Sequence, residues 1–169
     1  PQNLAPDKVP YLGLLKSVLG YVDTAHYTYG ELSNEINAET GGIACGVEVF
    51  DRADSVDEYR AFFGVKGKVM YPKMDVIFRM IREILNTSDV TDTRRLHEII
   101  SRVKSRAQSS LVSAGHSTAV LRAASYASPM AAFQDGMAGI AYYQFIEKLD
   151  REFDDRKEEI IENLKSLMV

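Results

Sequence analysis

Three histidines, His26, His97 and His116, are the side chains of this chain best suited to proton transfer or metal binding near neutral pH. No two of them are four residues apart, so no helix presents two imidazoles on one face. His97-Glu98 begins like H-E-x-x-H, but Ser101 stands where the second histidine belongs, which leaves one ligand where the motif supplies two. His97 therefore reads as a surface histidine. His26, within Thr24-Ala-His-Tyr-Thr28, reads as a hydrogen-bonding turn residue, and His116, after Gly115, as one that caps or packs at a helix junction.

Nucleophiles and phosphate cradles fare no better. There is no G-x-S-x-G elbow, and Ser109-Ser110 falls on a predicted helix rather than a strained turn. Gly64-Val-Lys-Gly67-Lys68 lacks the P-loop spacing and the following Ser or Thr, so it reads as a strand end. Cys45 is the single cysteine, which excludes an intramolecular disulfide, and it sits in an apolar strand pattern as a small hydrophobe. Arg94, Arg95, Arg102, Lys104 and Arg106 make one segment basic, a solvated face that has the sign to guide an acidic partner. Asp150, Glu152, Asp154, Asp155, Glu158, Glu159 and Glu162 interleave with Lys148, Arg151, Arg156, Lys157 and Lys165 at spacings suited to pairing along a helix.

The elements that would position these groups follow from periodicity. Pro10 suits a first helical turn, and Leu12, Leu15, Val18, Leu19 and Val22 extend an amphipathic helix to about Tyr21. Thr28-Tyr-Gly-Glu31 has capping-box spacing and starts a helix to about Glu39, which Gly41-Gly42 stops. Ile43, Cys45, Val47 and Val49 alternate with Ala44, Gly46, Glu48 and Phe50 as a strand over 43–50. A connection around Asp51, Asp54 and Asp57 leads to a second, antiparallel strand over 59–65. A lone hairpin is marginally stable, so these strands should belong to a larger sheet, part of it from outside this sequence, or lie under helices.

The remainder is helical: a helix from Pro72 to about Asn86 with Met74, Ile77, Phe78, Ile81 and Leu85 as its stripe; a long one capped by Asp92, its face made of Leu96, Ile99, Ile100, Val103, Ala107 and Leu111; starts at Ser117 and Ser128-Pro129, the latter segment broken by Gly136 and Gly139; then 140–153 and 156–168. The class is α+β, a small antiparallel sheet of at least one hairpin with about six to seven helices. It is read as a single domain over 1–169, with a helix-helix-hairpin part at 1–71 and a helical part at 72–169, and as an incomplete one.

The bulk properties agree with a soluble fold. At 169 residues and 46% hydrophobic, the chain has the length and apolar content for one core. Its net charge of -4 is the wrong sign for a nucleic-acid binder. No apolar run nears the roughly 20 residues that cross a bilayer, so no membrane partner is expected. An opening of Pro1-Gln-Asn-Leu-Ala-Pro6 rather than Met reads as a processed or excised piece.

Two stretches carry a family likeness. Val9-Pro-Tyr-Leu-Gly-Leu-Leu15, followed by Tyr27-Thr-Tyr-Gly-Glu-Leu-Ser-Asn-Glu-Ile-Asn-Ala-Glu-Thr-Gly-Gly42, resembles the first helices of the third domain in pitrilysin/insulinase-type zinc metallopeptidases of the presequence-protease branch. Ser113-Ala-Gly-His-Ser117, Arg122-Ala-Ala-Ser125 and Gly139-Ile-Ala-Tyr-Tyr-Gln-Phe145 are similar to the later helical part of that domain.

The resemblance implies two related halves, each of two α+β domains, closing around a peptide chamber, with zinc held by H-x-x-E-H in the first half only. At the corresponding place this chain has Tyr11 and Leu15 for the ligands and Leu14 for the base, and no residue of that set binds zinc or takes a proton from water. The family's third ligand is a later glutamate, whereas between Ile99 and Ile146 the only acid is Asp135.

The expectation is a chain with no catalytic, cofactor-binding or metal-binding residue, inactive alone. It would serve a parent zinc endopeptidase for short or unfolded peptides as part of the chamber wall, with strand addition as a route to peptide contact. Its partners would be the other domains of the same polypeptide and the peptide substrate, in a bacterial cytoplasm or an organelle matrix. The family's substrate-anchoring arginine and tyrosine lie in its fourth domain, outside this sequence. The alternative is a stand-alone interaction module dimerising through the long helix, and a third reading is a small enzyme assembling its site from His26, His97 or His116.

Overall fold

A computed structural model describes residues 4–52 and 55–168. A 3-10 turn at Pro6–Lys8 leads into α1 (Val9–Val18), α2 (Tyr29–Glu39), β1 (Ile43–Arg52) and β2 (Ser55–Gly67). A second 3-10 turn at Tyr71–Lys73 precedes α3 (Met74–Thr87), α4 (Thr93–Ser113), α5 (Gly115–Ala124), α6 (Pro129–Ala138), α7 (Ile140–Arg151) and α8 (Phe153–Leu167). The α+β class expected from periodicity is the one observed.

The first helix ends at Val18, three residues before Tyr21, because Gly20 takes φ +84° and turns the chain out of the helix. Apolar on nearly every side, α1 buries Val9, Tyr11, Leu12, Leu14, Leu15 and Val18 and is packed by α4, α6, α8 and β1. Gly13 permits the closest of these approaches: a Cβ there would lie 2.8 Å from both the Met137 carbonyl oxygen and the Tyr142 ring. Thr28 caps α2 as the spacing predicts, its Oγ1 accepting from the Glu31 amide at 3.3 Å while Glu31 Oε2 accepts from the Thr28 amide at 2.9 Å. Gly42, at φ +109°, makes the turn into β1.

β1 and β2 pair antiparallel from Ile43 opposite Gly67 to Asp51 opposite Tyr59, with an irregularity between Asp51 and Arg52. Both strands run past the ends expected for them, so Asp51 lies within β1 and Asp57 within the span of β2; Asp54 falls outside the described residues. Ile43, Cys45, Val47 and Val49 face the core, where α6 covers the hairpin and Tyr59 meets the Phe133 ring at 5.3 Å. Phe50 and Phe62 stay on the outer face.

The stripe expected on α3 is corrected. Ile77, Met80 and Ile84 are its buried residues, whereas Met74 is exposed and Phe78 is 61% exposed. Asp75, Arg79, Arg82 and Glu83 share one side of this helix, and the buried side is the opposite one; the expected stripe is rotated off it because it takes in Met74 and Phe78, at the margin of the apolar arc, and leaves out Met80 and Ile84. Leu96, Ile99 and Ile100 of α4 are fully buried, with Ala107 and Leu111 half-buried toward its end. α5 starts at Gly115, two residues before Ser117, and α6 continues through Gly136 to end at Ala138, with Gly139 as its C-cap. One apolar cluster runs from Val9 through Leu32, Met80, Leu96 and Ile146 to Leu164.

Candidate functional site

The segment that resembles a zinc motif is the middle of α1, and its surroundings decide what it can hold. Leu14 is 0% exposed and Leu15 nearly so, both within hydrocarbon. The Tyr11 hydroxyl donates to Glu159 Oε1 at 2.8 Å, and its ring meets Phe145 edge-on at 4.9 Å. Arg156 closes the cluster, its Nη2 donating to Glu159 Oε1 at 2.7 Å and its Nε to Oε2 at 2.9 Å. Burial, reinforced by Glu159, pushes the Tyr11 phenol up to about 12, while the Arg156 hydrogen bonds hold the Glu159 carboxyl at about 2. Two leucines and a protonated phenol already bonded to a carboxylate do not fit zinc, which takes imidazole, thiolate or carboxylate.

Asp135, where the resemblance leaves a single acid, is 1% exposed and fully engaged. Its Oδ2 accepts from Arg122 Nη1 at 2.7 Å and its Oδ1 from the Ile140 amide at 2.9 Å, so it joins α5 to the start of α7. Gly139 leaves room for it: a Cβ there would sit 2.1 Å from Asp135 Oδ1.

The three histidines are given separate surroundings. His26 is a hydrogen-bonding turn residue, its amide and Nδ1 both 3.1 Å from Glu83 Oε1. His97 is a surface histidine, its side chain 42% exposed, that stacks on Phe153, ring centroids 4.3 Å apart, with Nε2 3.4 Å from Asp150 Oδ1, and so ties α4 to α7 and α8. His116 is exposed in the first turn of α5. Among the described residues, no group of three or more His, Cys, Asp or Glu side chains is placed to hold a metal ion. No helix among them is long and apolar enough to cross a membrane.

The basic run on α4 is divided in a way that spacing alone does not reveal. Arg94 and Arg95 pair with Glu98, and Lys104 with Asp150 at 2.5 Å. Arg95 also donates to the Tyr21 carbonyl at 2.8 Å and lies 3.8 Å over the Tyr29 ring. Arg102 and Arg106 instead line a cleft of about 460 Å³ between the end of α1, α2, the start of β1 and α4, where Lys16, Ser33, Asn37 and Cys45 join them. The signal for this in the sequence is the i, i+4 repeat of Arg102 and Arg106, with Glu98, the one carboxylate a turn from Arg102, taken by Arg94 and Arg95.

Comparisons with known proteins bear on the whole chain. A family model described as associated with subfamily C of the M-16 peptidases matches residues 1–149. Protein HypA of Clostridium perfringens is 32% identical over 165 residues, covering 98% of this chain and 17% of that protein. The mitochondrial presequence protease of Yarrowia lipolytica is 28% identical over 167 residues, 98% of this chain and 17% of its own length. That of Saccharomyces cerevisiae is 30% identical over 162 residues, 94% and 16% respectively. The chain therefore spans about one sixth of the length of these relatives.

Proposed function

Since the chain belongs to the family associated with subfamily C of the M-16 peptidases, we propose that it is a non-catalytic part of a larger zinc endopeptidase acting on short or unfolded peptides. In this reading it forms part of the wall of the peptide-enclosing chamber and holds neighbouring domains of the same polypeptide in place. The observation that carries the reading is the state of α1: at the place of the family's ligands and base stand Tyr11, Leu15 and Leu14, buried and engaged in packing. Residues of these types supply no metal ligand and no general base, so the zinc chemistry of the parent falls to another part of the polypeptide. The relatives named as mitochondrial presequence proteases support a peptidase parent, and of the two expected locations theirs corresponds to the organelle matrix.

Zinc content and peptide turnover, measured for residues 1–169 and for the full polypeptide, test the proposal. The expected result is neither zinc nor turnover for the chain alone and both for the full polypeptide. Stoichiometric zinc with turnover in the chain alone overturns it.

A further inference from the structure

We draw no further inference here: the strongest candidate, the exposed apolar patch of Met70, Tyr71, Met74 and Phe78 where the second 3-10 turn enters α3, carries nothing, because the chain spans about one sixth of the length of its relatives and nothing in the structure shows what covers that patch.

Discussion

Tyr11 and Glu159 are 148 positions apart, yet the Tyr11 hydroxyl donates to the Glu159 carboxylate at 2.8 Å and so fixes α1 against α8. The bond stands at the first position of the segment that resembles a metal motif. An imidazole there would face a metal; the phenol faces a carboxylate that Arg156 already neutralises. Protein-protein packing occupies the directions in which metal chemistry would have to open.

Tyr11→Phe keeps the ring contact with Phe145 and removes the hydroxyl. Glu159 retains Arg156 and is half-exposed, so the loss should be modest, about 1 kcal/mol of unfolding free energy. Leu14→Ala, at a fully buried position, should cost about 2–5 kcal/mol. Denaturant unfolding of the two variants checks the order; a larger loss for Tyr11→Phe would contradict the packing role of this segment.

Acid sensitivity should trace in part to Glu83. Burial raises its carboxyl pKa, but hydrogen bonds from Thr24, Thr87 and His26 outweigh this and hold it at about 2. A carboxyl depressed in the folded state binds its proton more readily when unfolded, so its stabilisation is full above the unfolded pKa near 4.5 and fades as pH falls toward about 2. Glu83→Gln should therefore lower stability at neutral pH, by roughly 1–2 kcal/mol, and flatten the decline between about pH 5 and pH 2. Chemical unfolding across that range measures both; parallel curves for the two proteins would refute the assignment.

What was legible in the sequence is what short-range geometry controls. The Thr28–Glu31 box, the Ser128 cap and the alternating inner face of β1 each depend on residues within one turn or one strand. The rotation of α3 was legible in the placing of Asp75, Arg79, Arg82 and Glu83 on one side, opposite Ile77, Met80 and Ile84, and counting apolar residues without their polar counterparts puts Phe78 in place of Met80. Asp135 counted in the sequence as an acid in the wrong place for a ligand, and its bonds to Arg122 and the Ile140 amide emerge only when α5, α6 and α7 converge. The Arg102 and Arg106 cleft needs α1, α2, β1 and α4 together, so residue spacing showed its charges without its enclosure.

Two glycines should prove intolerant for steric reasons unrelated to backbone freedom. Gly13→Ala places a methyl group 2.8 Å from the Met137 carbonyl oxygen and must push α1 away from α6, and Gly139→Ala meets Asp135 Oδ1 at 2.1 Å. Each should cost about 1–3 kcal/mol or more. Gly30→Ala, in a helix with nothing within 4 Å of the new methyl, should be neutral or stabilising. Thermal melts of the three variants distinguish these cases, and a destabilised Gly30→Ala beside a tolerant Gly13→Ala would reverse the interpretation.

Grafting the family's motif onto α1 should fail, and the way it fails is informative. Tyr11→His, Leu14→Glu and Leu15→His together restore the ligand and base types in sequence. In this fold they place a carboxylate at a fully buried position and remove the Tyr11 bond to Glu159. A buried, unpaired carboxylate is neutralised or unfolds its surroundings, and the lost leucine packing adds its own cost. Zinc binding would have to offset both with two imidazoles, and the carboxylate beside position 11, Glu159, is already held by Arg156, as Asp135 is by Arg122 and the Ile140 amide. The expected outcome is loss of the cooperative unfolding transition, with no zinc retained after dialysis and elemental analysis. A folded triple variant holding one zinc per chain would mean that α1 can still turn its ligand face outward, and would overturn the packing argument.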